Sequence, residues 1–373
     1  MKIICKKTNL IKTLGIVSRA ISPSSTLGIT KGILIKSEGD MKVSLSATDI
    51  KIAITTEMGA IVNEHGSVVI EAKLFSDIIR KLPDEDIVLS TDEKNLLSIK
   101  TERTDNEIQG VEESEFPRME NAEEEKIIKI DKEALTTMIE GTCFAASTDE
   151  SRGIITGALF EIKDGEIEMA ALDGYRVAIR REYRETLKEE EKRAVIPAKM
   201  FREAGKILLE TEGEEAEIEF SENRVTLYTE DTTIKINLLN GEYIKYKDVI
   251  PKEKETTVKV QKDELLNAVE LAEIYKSDGK NSFVRFSILD DKMIVSSRAE
   301  IGRGKETVSI EKEGEDLEIG FDARFLKEAL RACDGKDILM ELGTSISPCQ
   351  LKPEKGDSFT YLILPVRLST VNI

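Results

Sequence analysis

The sequence predicts an α+β protein of three similar domains, each with two helices packed on one side of antiparallel sheet. Three observations carry the prediction. One strand–helix pattern returns about every 125 residues along the 373-residue chain, each copy holds alternating runs around Gly/Asp turns, and stretches combining proline with a charge run separate the copies.

Each copy opens on a short alternating strand and an amphipathic helix: "MKIICKKTNLIKTLGIVSRAI", "EKIIKIDKEALTTMIEGTCFA" and "TTVKVQKDELLNAVELAEIYK". Hairpins follow in "GILIKSEGDMKVSLSA", "ALFEIKDGEIEMAALD" and "VRFSILDDKMIVSSRA", where apolar and polar residues alternate on both sides of a turn. A second strand and helix come next, in "VVIEAKLFSDIIRKL", "AVIPAKMFREAGKIL" and "EIGFDARFLKEALRA", and further alternating strands close each copy. Breaks near "EFPRMENAEEEK" and "DVIPKEKETT" give domains at residues 1–121, 122–251 and 252–373.

With 40% apolar and 34% charged residues the composition is that of a soluble globular chain. "MKIICKKTNL" lacks an apolar core fit for a signal peptide and no stretch is long enough to span a membrane, so a cytoplasmic location is expected. Cys5, Cys143, Cys333 and Cys349 form no CxxC pair and read as buried reduced thiols, and the single histidine, His65, leaves histidine triads without their parts. Neither GxxxxGK[ST], GxSxG nor HExxH occurs, and "EIGRGKETV" lacks the spacing of a phosphate cradle. The aspartates of "SATD" and "ALDG" fall at strand ends, where an Asx turn is the ordinary reading. No catalytic residue, metal or cofactor is expected. The pattern is that of a binding scaffold.

A net charge of −18 argues against a nucleic-acid partner on average. The second helix of each copy departs from that average. Its apolar positions, Leu74/Met200/Phe325, Phe75/Phe201/Leu326, Ile78/Ala204/Ala329 and Leu82/Leu208/Cys333, form one stripe that reads as core. Lys73 and Arg80, then Lys199, Arg202 and Lys206, then Arg324, Lys327 and Arg331 repeat at offsets 0, 3 and 7, which share a helix face. A basic face of point charges, with no base-reading motif, suits the sequence-independent backbone of duplex DNA.

The three copies together with "ALDGYRVA", "LLNGEYIKYKDVIP" and the terminal "YLILPVRL" resemble the bacterial DNA sliding clamp family, the beta subunit of DNA polymerase III, over essentially the whole chain. The resemblance implies three clamp-type domains per chain, pairing head to tail as a homodimeric ring with helices inside and sheets outside. It implies a processivity factor that encircles duplex DNA, slides without sequence specificity and has no catalytic activity. Its partners would be the replicative polymerase, a clamp-loader ATPase, and other polymerases and repair factors carrying clamp-binding peptides. Helix spacing agrees with two chains: helices about 9 to 10 Å apart leave an opening of about 8 Å for six of them and about 26 Å for twelve. Only the larger admits a duplex.

The resemblance also places a peptide pocket between the second and third domains. Its matching residues are Ile155, Leu172, Gly174, Tyr175, Arg176, Val177, Val249, Ile346, Leu362, Ile363, Leu364, Pro365, Val366, Arg367 and Leu368. Aliphatic walls would take a Leu or Phe anchor, and Arg176 and Arg367 would hold polar or carboxylate groups at the rim. Ile244, Asp248 and Pro348 depart from the family pattern around the pocket, Ser24 and Ser25 stand in a loop where an arginine is frequent, and "STVNI" passes the usual end. By position, Ile108 of one chain would meet Ile274 or Tyr275 of the other in the dimer. The competing function is an acidic peptide-docking adaptor that never encircles DNA.

Overall fold

The structure, a computed structural model, describes residues 1–21, 28–117, 126–275, 282–299 and 302–367. Ser24, Ser25, Leu368 and the extension 369–373 lie outside the described residues. Six α-helices occur among those described: α1 Lys7–Val17, α2 Ala72–Lys81, α3 Lys132–Cys143, α4 Ala198–Glu210, α5 Lys262–Glu273 and α6 Ala323–Ala332. Every strand pairing between named strands is antiparallel. The chain divides into two units, residues 1–136 with 203–238, and residues 137–202 with 239–373.

In the first unit an alternating sequence sets which residues point inward. Strand Ile52–Gly59 turns Ile52, Ile54, Thr56 and Met58 into the interior, and α1 lays Leu10, Leu14 and Val17 over it. Eight strands form the larger sheet, and Ile52–Gly59 is joined edge to edge with Thr232–Asn237, Ile236 standing opposite Ile52. Five strands form the other, with Asp105–Gln109 on its edge.

The second unit repeats the device in a twelve-stranded sheet. Hairpin Gly157–Lys163/Glu166–Leu172 turns at Asp164 and Gly165, whose φ of 52° and 82° are the left-handed pair that a two-residue hairpin loop demands. Strand Arg176–Tyr183 pairs with Phe359–Ile363, so the terminal run is first of all a buried strand. Helices α5 and α6 pack together over this sheet.

The last strand residue before a helix doubles as its cap. The side chains of Glu71, Gln261 and Asp322 accept the backbone N–H of Leu74, Glu264 and Arg324 at 2.6, 2.6 and 2.9 Å, satisfying donors that the first helical turn leaves open. The apolar stripe of the second helices is narrower than the sequence suggests. Phe75, Phe201 and Leu326 are fully buried, but Leu74 is exposed and Met200 half-buried. The neighbouring positions Ile79 and Leu330 fill the core instead, because 3.6 residues per turn carries the inward face past the Leu74 position. All four cysteines are buried thiols. Among the described residues no helix is long and apolar enough to cross a membrane.

Candidate partner-docking site and basic helix faces

The turn after strand Glu166–Leu172 builds one wall of the site. Asp173 Oδ1 accepts the N–H groups of Tyr175 and Arg176 at 2.9 and 3.1 Å, an Asx turn, and Gly174 takes φ 89°, which a side chain resists. Leu364 N–H donates to Tyr175 O at 2.9 Å and Val366 N–H to Gly320 O at 2.8 Å. These two bonds carry the terminal run off its strand and across to the edge of strand Leu317–Asp322.

Floor and rim then separate by burial. Ile155, Leu172, Val177 and Leu362 are buried with Leu159, Ala170, Ile179, Val195, Tyr243 and Tyr246 in one apolar cluster, and Ile154, Leu239 and Ile250 lie half-buried against it. Ile363 is wholly inside and offers no surface. Tyr175, Val249, Ile346 and Leu364 are exposed, at 59, 53, 77 and 39%, and Pro365 and Val366 are half-buried. Tyr175 and Leu364, joined by their backbone bond, thus present large apolar side chains to solvent beside a buried apolar cluster, an arrangement that calls for a partner.

Arg176 does not stand at the rim as the sequence suggested. It is 8% exposed, its Nε meets Asp173 Oδ2 at 3.0 Å, its Nη2 donates to Phe144 O at 2.8 Å, and Nη1 pairs with Glu328 of α6. The guanidinium also lies over the rings of Phe144 and Phe325. Each of its three guanidinium nitrogens has a partner within the chain, so it holds the turn in place. Arg367 is exposed and has no ion-pair partner among the described residues.

Several site residues escaped the sequence reading. Exposed Arg152 donates Nη1 to Asp173 O at 2.5 Å, behind the Gly174 turn, and nothing in its sequence surroundings marks it. Tyr243 and Tyr246 sit inside the quoted "LLNGEYIKYKDVIP" and were legible there. Tyr243 O–H donates to Gly157 O at 3.1 Å, and Tyr246 O–H to buried Glu168. Glu168 also holds Lys247 at 2.6 Å and Arg181 at 2.8 Å. Burial pushes its carboxyl up, but the hydrogen bonds from Lys247 and Tyr246 and the Arg181 charge outweigh that and leave it below the ordinary carboxylate range. The segment after residue 239 is thereby pinned against the sheet.

The first copy builds the same turn without the same pocket. Asp49 Oδ1 accepts Lys51 and Ile52 N–H at 3.0 Å, Ile50 takes φ 77°, and Asn237 N–H donates to Lys51 O at 2.9 Å, matching Asp173, Gly174 and Leu364. In register, Ile155, Leu172, Val177, Leu362 and Leu364 become Thr30, Thr48, Ala53, Lys235 and Asn237. Backbone geometry repeats, whereas apolar lining occurs once.

The basic faces divide by copy. Lys73 and Arg80 on α2, and Lys199 and Arg202 on α4, are exposed without an ion-pair partner among the described residues. Lys206 is exposed and pairs with Glu203 of its own helix at 2.7 Å. On α6, Arg324 is exposed and lies over the Phe325 ring, but Lys327 is half-buried against Glu273 and Arg331 pairs with Glu270 at 2.7 Å. In the first copy offset 3 is the buried Ser76. The residues placed at the dimer contact are not equivalent either. Ile108 is 5% exposed because its side chain faces the core of its own sheet, so only its strand edge is available. Tyr275 lies half-buried over Gly302 and Gly304, while Ile274 is 67% exposed. No group of three or more His, Cys, Asp or Glu among the described residues is arranged to hold a metal.

A repeated α+β scaffold with helices on antiparallel sheets, an apolar rim and cationic helix faces defines a class, that of the clamp-type binding proteins. Family models for the N-terminal, central and C-terminal domains of the DNA polymerase III beta subunit match residues 1–120, 129–245 and 247–367. The "Beta sliding clamp" of Staphylococcus aureus is 32% identical over 377 residues, covering 98% of this chain and 99% of its own. The crystal structure of the DNA polymerase sliding clamp from Bacillus subtilis superposes with a TM-score of 0.93 at 28% identity, covering 98% of this chain and 99% of that one. A sliding clamp from Bartonella birtlesii, solved bound to griselimycin, gives 0.92 at 25% identity over 98% and 99%. The chain belongs to the DNA polymerase III beta subunit family, and is a non-catalytic DNA polymerase processivity factor of DNA replication. Membership favours that function over a docking adaptor that never meets DNA.

Proposed function

We propose that two copies of this chain close head to tail into a ring around duplex DNA, in the cytoplasm, and that the apolar site beside the Gly174 turn takes short peptides from the replicative polymerase, the clamp-loader ATPase and other polymerases and repair factors. Domains of residues 1–121, 122–251 and 252–373 would supply the ring's segments, with Ile274 and the edge strand Asp105–Gln109 at the dimer contact. The observation that carries the reading is the pairing of two surfaces on an acidic chain: cations in register on α2, α4 and α6, and exposed Tyr175, Val249, Ile346 and Leu364 over a buried floor. Exposed cations meet phosphates without reading bases, so such a ring would slide. Tyr175 and Leu364 present the kind of apolar anchor that dominates peptide docking.

The test is retention after loading. The protein should stay on nicked circular duplex and run off linear duplex, and light scattering near micromolar concentration should give about twice the monomer mass. Equal retention on both DNAs, or a stable monomer, overturns the ring.

A further inference from the structure

Two of the third copy's three cations are engaged by acids within the chain, and both acids come from one helix. Lys327 Nζ meets Glu273 Oε2 with the two side chains only 20 and 17% exposed, and Arg331 Nη2 meets Glu270 Oε1 at 2.7 Å in a more open pair, 59 and 38% exposed. Glu270 and Glu273 lie three residues apart on α5, so both fall on the face that packs against α6. The remaining acid of α6, Glu328, is tied to Arg176 and does not compete for either cation.

We propose that Glu270 and Glu273 set how strongly this clamp grips DNA, by occupying Lys327 and Arg331 in place of phosphate. This rests on the proposed DNA-facing role of α2, α4 and α6 and adds to it an unequal distribution of grip. The second copy offers Lys199 and Arg202, while the third offers Arg324 alone without displacement of a carboxylate. A cation that keeps its carboxylate partner neutralises no phosphate and so releases no counterion condensed on the DNA, and it adds little to affinity or to salt dependence. The half-buried Lys327–Glu273 pair is screened by salt less than an open one, whereas Arg331–Glu270 yields more easily. A duplex would pass the third copy with less resistance.

The experiment measures anisotropy of a fluorescein-labelled linear duplex with the full-length chain over a salt series. Glu270→Gln with Glu273→Gln should raise affinity and steepen the slope of log affinity against log salt by about 0.9 for each cation released. Glu270→Gln alone, at the open pair, should give about one such step and guards against misfolding of the double variant. Glu264→Gln removes the same charge from an exposed position of α5 and should leave the slope unchanged. Lys327→Gln should also leave it unchanged, while Arg202→Gln lowers it by about 0.9. An unchanged slope in both the Glu270 and the double variant, or a loss in Lys327→Gln equal to that in Arg202→Gln, overturns the proposal. If Lys199→Gln and Arg202→Gln are themselves silent, the DNA-facing assignment fails, and this inference with it.

Discussion

Arg176 separates what a motif announces from what a side chain does. "ALDGYR" marks its place, but the Asp173 carboxylate, the Phe144 carbonyl and Glu328 take up its donors, and it is buried. Arg176→Ala would leave Asp173 without its cation in a poorly solvated turn, and a loss of about 3–5 kcal/mol in urea unfolding is expected. Arg176→Lys should recover only part of it, since an ammonium cannot reproduce the fork of contacts to three elements. A stability change below about 1 kcal/mol for the alanine variant would show that these contacts do not hold the turn. Nearby, Gly141 of α3 shows a requirement invisible in the sequence: a Cβ there would lie 2.0 Å from Arg180 Nε. Arg180 meets Ala332 O at the end of α6 at 2.6 Å and Tyr361 O–H at 2.9 Å, so the helix glycine makes room for the side chain that closes another helix.

Among the elements, α6 depends on its cap. Burial raises the Asp322 carboxyl, with the Arg324 backbone bond and charge opposing it, so its ionised form is penalised in the fold at neutral pH. Asp322→Asn keeps an acceptor for Arg324 N–H and removes that charge. At pH 7 its melting temperature should equal or exceed that of the parent, whereas Asp322→Ala should lose about 1 kcal/mol. The pin of residues 246–247 on strand Glu166–Leu172 has the opposite pH sign. Glu168 is held below the ordinary carboxylate range, so its contribution is complete above the unfolded value of about 4.3 and is lost as pH falls through the lowered folded value. Glu341, pushed up by burial but brought lower overall by hydrogen bonds from Lys254 and Lys352, follows the same rule. Melting temperature should therefore drop steeply below about pH 4, and Glu168→Gln should flatten that limb while lowering stability at pH 7. A limb as steep as the parent's would mean that Glu168 does not stabilise the fold through its charge.

At the scale of the whole molecule, the two proposed surfaces predict separable losses. Reversing Lys73, Lys199 and Arg202 to Glu should abolish retention on circular DNA while leaving affinity for a clamp-binding peptide within about twofold, since none of the three touches the apolar floor. Loss of peptide binding in that variant would show the surfaces to be one. The net charge of −18 fits the same proposal: repulsion of DNA by the rest of the surface, with attraction confined to the uncommitted helix cations, would favour a loose enclosure over a tight complex.

Periodicity alone determined the six helices and the antiparallel hairpins, because each follows from side-chain spacing within a few residues, and the return of that pattern along the chain gave the threefold repeat. The residue pattern also located the Asx turn of "ALDG", a local feature, whereas the strand in the terminal run emerged only in the structure. Which basic residues stay uncommitted was decided only by tertiary packing: Lys327 and Arg202 occupy equivalent positions in sequence, but α5 brings Glu273 to the first, while the second has no ion-pair partner among the described residues. Packing likewise turned Arg176 and Ile108 inward. It also gave the first and second copies the same turn, while register placed Thr30, Thr48, Lys235 and Asn237 where the pocket has aliphatic residues. A charge or an apolar side chain is written in the chain, but its availability depends on neighbours distant in sequence.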